Sequence, residues 1–378
     1  MRARDRAGEF ASLRSAINNT TMTLSALDES GRPVDWWFIY KVPMNSAQPK
    51  RQFPVSGYEY AYCDASVAQP GKSPHVIASG EPAVATGEGA LNRTLQAIFT
   101  DPSPGRGWIL YNDAQPASVI AAGGRDHETL GHTKGVLAFD TASNTALWLL
   151  HSWPQFVDTS IRAPAPTGEF GQTFLCLTLD LKVARQIANQ MTNHQEPQVF
   201  SPRLPTAPAL DATDPLHILA SQKIDVSVAG DSNVLAAATR AGMPFKVIAK
   251  NRKWARDFWN ELVGPTLGVD MDVETWVRGR NVVPSAKDSD GAHSISDVVM
   301  VDFSPFGLSC AWSESNDHAK WGISTTSDWV CVGDINRMIS QEKRGGCAIA
   351  FQNRPLWQAL SKTARVVVPP GKTLAEML

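Results

Sequence analysis

A short pattern of histidine, any residue and lysine occurs twice in the chain, each time directly before a run of residues typical of a β-strand. His132 and Lys134 precede the stretch GVLAFD, and His318 and Lys320 precede WGIST. Residues i and i+2 of an extended chain point to the same side, so each pair presents an imidazole and an ammonium group together. Any fold for this chain must accommodate two strand ends with the same chemistry.

The segment that separates the two pairs has the composition of a linker. Residues 195–215 contain five prolines and no hydrophobic periodicity. A length of 378 residues fits two domains or one large two-lobed domain. We therefore predict an extension over residues 1–21, an N-terminal lobe over 22–200 and a C-terminal lobe over 201–378.

Hydrophobic patterns predict strands and helices on both sides of this segment. Strands are predicted at 34–42, 135–140, 145–151, 174–181, 274–277, 298–303, 308–312 and 348–352. Helices are predicted at 88–99, 182–191, 247–262 and 355–361. This mixture predicts an α/β (mixed α+β) fold.

The overall charge does not indicate a polyanionic partner. The chain has 35 basic and 37 acidic residues, for a net charge of -2, so a nucleic-acid site would have to be a local basic groove. Lys250, Arg252, Lys253 and Arg278 are the candidates for such a groove. The alternative for the cluster at 246–256 is the solvated face of a helix.

Cysteine usage and hydropathy exclude several classes of protein. The five cysteines include no Cys-x-x-Cys pattern, which argues against a zinc ribbon or thioredoxin-type chemistry; one or two disulfides stay open. Residues 1–20 are polar, with no stretch resembling a signal peptide, and no apolar run has membrane-spanning length. We expect a soluble protein with no membrane partner, and leave the compartment open, a secreted or periplasmic location included.

The chemistry of the two pairs suits phosphodiester hydrolysis. Imidazole nitrogens can attack phosphorus or transfer protons, and ammonium groups can hold the charged phosphate oxygens. Roughly 0.3 such pairs are expected by chance from the numbers of histidines and lysines, so the pairs alone are only suggestive. The alternative is two exposed strand ends without a joint role.

Around these pairs the chain resembles deoxyribonuclease II, a family of the phospholipase D superfamily. The matching stretches follow one another in the family's order: VDWWFIYKVP (34–43), GHTKGVLAFD (131–140), WLLHSWPQF (148–156), ETWVRG (274–279), DHAKWGIS (317–324), CVGDINR (331–337) and KRGG (343–346). The resemblance implies two phospholipase D-like lobes forming a pseudo-twofold sandwich with a shared active site. It also implies a metal-independent acid endonuclease with no cofactor, acting on DNA, for which double-stranded DNA is the expected form.

The family's mechanism, carried over, gives one histidine as the nucleophile that forms a phosphohistidine and the other as the proton donor. Lys134 and Lys320 would hold the phosphate oxygens, and the products would carry 3′-phosphate and 5′-hydroxyl ends. A histidine has a reference pKa near 6.5, so mild acid is expected to populate the imidazolium. The residues do not decide between His132 and His318 as the nucleophile.

Four further residues are candidates for supporting roles. Asn336 and Asp334 follow the second pair, and His151 and Ser152 follow the first. Turn formation is the alternative for Asn336 and Asp334, and a buried, hydrogen-bonded strand end is the alternative for His151 and Ser152.

Two other functions and the oligomeric state stay open at this point. The rival functions are a phosphodiesterase acting on phospholipids and a non-catalytic DNA-binding relative. A homodimer is one option for the assembly. Cys347 stands where the family usually has a third glycine, and no leader is visible, so disulfides and location are not carried over.

Overall fold

The computed structural model describes most of the chain. The described residues are 23–44, 57–68, 75–77, 88–124, 130–157, 168–227, 230–277 and 281–377. They form a mixed α+β protein with two large sheets and one small one, as the sequence predicts for the fold class. The predicted extension over residues 1–21 lies outside the described residues.

The first large sheet is entirely antiparallel and holds the first histidine-lysine pair. Its strands are β3 (Trp36–Lys41), β4 (Tyr60–Asp64), β5 (His75–Ile77), β6 (Arg106–Asn112), β7 (Lys134–Asp140), β8 (Thr145–His151), β9 (Gln172–Asp180) and β10 (Val199–Arg203). They lie in the order β10-β6-β7-β8-β9-β3-β4-β5. Two short strands that precede them, β1 (Ala26–Leu27) and β2 (Pro33–Val34), form the small sheet.

The second large sheet holds the second pair. Its strands are β11 (Ser232–Ala238), β12 (Pro244–Lys250), β13 (Met271–Thr275), β14 (Ala286–Lys287), β15 (Ser294–Asp302), β16 (Ala311–Ser313), β17 (Lys320–Ser324), β18 (Trp329–Gly333), β19 (Gly346–Gln352) and β20 (Ala364–Val368). Eight of them lie in the order β11-β12-β19-β18-β17-β13-β15-β14, and β16 and β20 both pair with β15. β13 and β15 are parallel.

Helices are short and connect or cover the sheets. They are α1 (Gly89–Phe99), α2 (Ala117–Ala121), α3 (Leu181–Gln190), α4 (Pro215–Ala220), α5 (Gly264–Leu267), α6 (Ile339–Glu342), α7 (Arg354–Thr363) and α8 (Leu374–Met377). Wider π-type turns extend α3 at Met191–Gln195 and precede α5 at Trp259–Val263. In the part of the chain that the structure describes, no helix has the length and apolarity that crossing a bilayer requires.

The core lies in three layers because successive strand residues point to opposite faces. Trp148 and Leu150 of β8 point toward the interior shared with the second sheet, where they join Val332 and Ile349 in one cluster. Leu147 of β8 and its neighbours on the other face pack against α1. A third cluster covers the outer face of the second sheet around Trp259. Strands buried on both faces explain the continuous apolar runs in the sequence.

Two local predictions are wrong. The predicted helix at 247–262 begins instead as β12, since Val247 and Ala249 are buried between β11 and β19; only Trp259–Val263 is helical. The proline-rich segment is not a plain linker, because β10 lies within it and pairs with β6. Pro202 is tolerated there because β10 is an edge strand, whose outward N–H groups need no partner strand.

All five cysteines are buried, and none forms a disulfide.

Candidate active site

The two histidine-lysine pairs, one from each large sheet, line the same cavity. Its volume is about 100 Å³. Lys134 and Lys320 are the first residues of β7 and β17 and are buried, whereas the two histidines are partly exposed. The remaining residues of the lining are Asp113, Ala114, Ser152, Pro154, Trp276 and Asn336.

His132, which comes from the first sheet, is held by the second. Its backbone N–H donates to the carbonyl of Gly345 at 2.9 Å. Its ring Nδ1 contacts the backbone carbonyl oxygen of Asp334. A carbonyl accepts but cannot donate, so Nδ1 carries the proton and Nε2 keeps its lone pair. That Nε2 lies 3.5 Å from the ammonium nitrogen of Lys134.

His318, which comes from the second sheet, is held by the first. Its backbone N–H donates to the carbonyl of Gly171 at 2.9 Å. Its ring stacks on Phe170 with 4.2 Å between the ring centroids and meets Trp276 edge-on at 4.9 Å. The preceding Asp317 accepts hydrogen bonds from the Tyr40 hydroxyl of the first sheet, from the Trp312 indole N–H and from the Ala319 backbone N–H. Each histidine therefore depends on both sheets for its position.

Asp113 adds a carboxylate that the motifs did not indicate. It follows β6 directly and forms ion pairs with Lys134 and with Arg344, the latter at 3.0 Å. Its Oδ2 lies 3.8 Å from Nε2 of His132. Arg344 also donates to the carbonyls of Leu130 and Gly131, which fixes the approach to His132.

Burial and the neighbouring cations shift the pKa values of both histidines downward. Burial and then the charges of Lys320 and Lys134 lower the pKa of His318 to about 2. Burial and Lys134 also hold the pKa of His132 well below its usual value, against the opposing effect of Asp113. Both shifts favour the neutral form of the ring in the free site. These shifts oppose the protonation of either ring by mild acid in the free site.

Lys320 and Asp113 are shifted by the same surroundings. Burial, followed by the charge of Lys134, lowers the pKa of Lys320 to about 7. The pKa of Asp113 is held low by Lys134, His132 and Arg344, which outweigh the opposing effect of burial. As the pH falls below 7, Lys320 becomes increasingly cationic while the pKa of Asp113 stays low.

The low histidine pKa values make the folding stability depend on pH. Below about pH 6.5 the unfolded chain binds protons that the folded chain does not, so the free energy of unfolding falls as the pH falls. His151, whose pKa burial and Lys134 also hold well below 6.5, contributes to this loss. We expect His151→Gln to lose up to about 1.6 kcal/mol less than the wild type between pH 6.5 and pH 5. Urea unfolding at the two pH values measures the difference, and equal losses would contradict the shift.

The four residues that were predicted to support the site lie in three different environments. Asn336 lines the cavity, and within the described structure its Oδ1 has no hydrogen-bond partner. Ser152 also lines the cavity, but its hydroxyl donates to Gln172 and accepts from the Thr173 N–H.

Asp334 and His151 lie behind the cavity wall. Asp334 contacts His132 through its carbonyl, while its carboxylate accepts the Cys347 N–H at 2.8 Å. The His151 ring is buried against aromatic side chains, and its Nδ1 accepts the Trp153 N–H. Their surroundings match positioning or packing roles and not contact with a substrate.

Three of the predicted DNA-binding residues lie in the described part of the chain, and each has hydrogen-bond partners within the protein. Lys250 is buried, and its ammonium group donates to the carbonyls of residues 341, 342 and 344, so no N–H is left for a phosphate. Arg252 is paired with the buried Glu196. The Lys253 ammonium group donates to the Val226 carbonyl. Arg278 lies outside the described residues.

Trp276, Arg344 and Asp113 are among the residues of the site that were not identified from the sequence. Trp276 and Arg344 lie inside the stretches ETWVRG and KRGG. The resemblance therefore covered these two positions but assigned no role to either residue. Asp113 stands in none of the quoted stretches, and only the pairing of Asn112 with Lys134 across β6 and β7 brings it to the cavity.

Comparisons with known proteins agree on one family. Residues 25–369 match the family model described as Deoxyribonuclease II. A Burkholderia pseudomallei protein named "Putative deoxyribonuclease-2" is 54% identical over 356 residues, which cover 94% of this chain and 96% of that protein. Deoxyribonuclease-2-alpha of Rattus norvegicus is 30% identical over 92% of this chain and 94% of its own length.

A solved phosphatidylserine synthase of Haemophilus influenzae covers 62% of this chain and 60% of its own, with 9% identity and a TM-score of 0.28, which is too low to indicate a shared fold. The family match spans nearly the whole chain and agrees with relatives from bacteria and mammals. The chain therefore belongs to the deoxyribonuclease II family.

Proposed function

We propose that this protein is a metal-independent acid endonuclease that hydrolyses DNA. The observation that carries the proposal is the convergence of His132, Lys134, His318 and Lys320 on one cavity. Two imidazoles and two ammonium groups provide the nucleophile, the proton transfers and the phosphate binding that hydrolysis requires. The family's name gives the substrate, DNA.

We further propose that the two large sheets are two phospholipase D-like lobes of a pseudo-twofold molecule. The strands β6, β7, β8, β9, β3 and β4 are neighbours in that order in the first sheet. The strands β13, β17, β18, β19, β12 and β11 follow one another in the second. In this correspondence β7 matches β17, and each begins with the lysine of its pair.

Two buried lysines support the same correspondence. Lys41 ends β3 and Lys250 ends β12. Lys41 donates to the carbonyls of residues 42, 57 and 168, and Lys250 donates to those of 341, 342 and 344. Each lysine fixes a segment beside the histidine of the other sheet, since residue 168 precedes Phe170 and residue 344 precedes Gly345.

His132 is the proposed nucleophile. The Asp334 carbonyl fixes the Nδ1–H tautomer, so the Nε2 lone pair is free to attack phosphorus. As the bond from Nε2 to phosphorus forms, the bond from phosphorus to the 5′-oxygen breaks, and the protonated His318 gives its proton to that oxygen. The first product is the strand with the new 5′-hydroxyl end. The other strand, which carries the phosphorus on its 3′-oxygen, stays bound to His132 as a phosphohistidine.

The second step releases the strand that is bound to His132. Neutral His318 takes a proton from water, and the hydroxide oxygen attacks phosphorus while the bond to Nε2 of His132 breaks. The 3′-phosphate leaves, and both histidines return to their starting protonation states. Throughout, Lys134 and Lys320 hold the nonbridging oxygens and stabilise their charge.

Acid favours this reaction for two reasons. The pKa of Lys320 is about 7, so its ammonium form, which binds phosphate, is complete only below that pH. The bound phosphodiester is an anion, which raises the pKa of the nearby His318 and allows it to carry the proton that the first step uses. Activity is therefore expected to fall as the pH rises through these pKa values.

Plasmid nicking at about pH 5 in excess chelator tests the function. We expect the wild type to cut supercoiled DNA and to leave 5′-hydroxyl ends, which a polynucleotide kinase labels directly. A polymerase should extend the 3′ ends only after phosphatase treatment. Cleavage that needs added magnesium or calcium, or ends of the opposite polarity, would refute the proposal.

A further inference from the structure

We propose that Asp113 is a positioning residue: its carboxylate is the internal counter-ion of the phosphate site. The inference rests on the proposed function and adds a residue to it. In the free protein the carboxylate contacts Lys134 and forms an ion pair with Arg344 at 3.0 Å. Its Oδ2 lies 3.8 Å from Nε2 of His132. These are the groups around which the scissile phosphate is expected to bind.

The carboxylate is placed to act on the phosphate. Its side chain is 10% exposed and faces the cavity, and it is the one acidic side chain among the described residues of the lining. The other carboxylates near the lysines are turned away or buried: Asp317 accepts from Tyr40 and Trp312, and Glu274 lies fully buried in β13. A phosphate that binds Lys134 must therefore compete with Asp113.

The carboxylate belongs to one half of the site only. Asn112 pairs with Lys134, and Thr275 pairs with Lys320 in the second sheet. The residue after Asn112 is Asp113, whereas the residue after Thr275 is Trp276. The matched positions thus place an anion beside His132 and an indole beside His318, which makes the environments of the two histidines different.

This difference has a consequence in each step of the reaction. Before the reaction, Asp113 holds Lys134 in place and weakens the binding of anions. When Nε2 of His132 bonds to phosphorus, the imidazole becomes cationic, and the adjacent carboxylate stabilises that charge. Asp113 gives up no proton and forms no covalent bond in either step.

The predicted signature is opposite effects on binding and on turnover. Asp113→Asn keeps the side-chain volume and removes the charge. We expect inorganic phosphate, titrated calorimetrically at about pH 5, to bind this variant about tenfold or more tightly. With DNA in chelator, KM should fall and kcat should fall by about tenfold or more, since the cationic phosphohistidine loses its partner. A purely structural role would weaken binding and turnover together.

Two further variants make the test specific. Asp113→Glu keeps the charge and should restore weak phosphate binding toward that of the wild type. Asp140→Asn removes a buried carboxylate that pairs with Arg106 at the far end of β6 and β7, and should leave phosphate affinity unchanged. Both proteins are first checked for the wild-type circular dichroism spectrum.

The outcomes separate this inference from the proposed function. If wild type cuts DNA in chelator but Asp113→Asn binds phosphate no more tightly, the counter-ion role is overturned and the proposed function stands. If Asp113→Asn binds phosphate more tightly but wild type leaves DNA intact, the counter-ion role is supported and the proposed function fails.

Discussion

A His318→Ala enzyme should release one equivalent of thiol per active site, and then stop, when the scissile 5′-oxygen of an oligonucleotide is replaced by sulfur. A thiolate leaves phosphorus without being protonated, so the first step no longer needs the acid. The second step still needs a base to activate water, and the phosphohistidine accumulates. On ordinary DNA the same variant should lose about 10²–10⁴-fold in kcat.

His132→Ala should release no thiol from the same oligonucleotide, because the missing group is the nucleophile itself. On ordinary DNA its loss should be about 10⁴-fold or more. A thiol-reactive dye follows the release, and the five cysteines of the chain, all buried, keep the background low. His293→Ala, a change outside the cavity lining, serves as the control and should turn over the oligonucleotide as the wild type does.

The assignment of roles would be reversed if His132→Ala gave the burst and His318→Ala did not. If both variants released thiol through many turnovers, neither histidine would be the nucleophile, and the proposed chemistry would fall. Neither result would affect the family, which rests on the similarity of the whole chain.

Arg337→Met should lower the free energy of unfolding by about 3–5 kcal/mol, the range for breaking a buried ion pair by removing one partner. The Arg337 side chain is fully buried and forms ion pairs with Asp257 and Asp297. It also donates to the Pro284 carbonyl at 2.7 Å. Methionine replaces part of the volume and leaves the buried Asp257 and the partly buried Asp297 without their counter-ion.

Urea unfolding at pH 7 measures this loss. Arg365→Met removes an arginine that is 53% exposed and pairs with Asp302 on the surface, and we expect it to cost no more than about 1 kcal/mol. Equal effects of the two substitutions would mean that the buried network does not stabilise the fold as described. Arg337 follows Asn336 of the cavity wall, so its loss should also reduce activity.

Much of the fold could be predicted because several strands have a strong local signal. The runs GVLAFD and TALWLLH were predicted as strands, and β7 and β8 cover the same residues to within one position. The helix prediction for residues 247–262 was wrong because the local signal there is weak. Val247 and Ala249 look the same in a helix as in a central strand, and only pairing with β11 and β19 decides between the two.

The candidate site could be predicted in part, for a similar reason. A histidine and a lysine two residues apart are visible as a pattern in the sequence, and each pair stays together in the structure. Asp113 comes from a different strand connection and reaches the cavity through sheet pairing, which no local pattern reports. Lys250 looked like a surface cation, but the sequence could not reveal that three backbone carbonyls surround its ammonium group.

The most direct test of the proposed two-histidine chemistry is to locate the covalent intermediate. His318→Ala is mixed with the 5′-sulfur oligonucleotide, quenched at alkaline pH, digested and examined by tandem mass spectrometry. The proposed mechanism predicts that the strand with phosphorus on its 3′-oxygen is attached through that phosphorus to the imidazole of His132. The adduct should be lost in acid and should be absent from the His132→Ala, His318→Ala double variant. An adduct on another residue, or thiol release with no adduct at all, would contradict it.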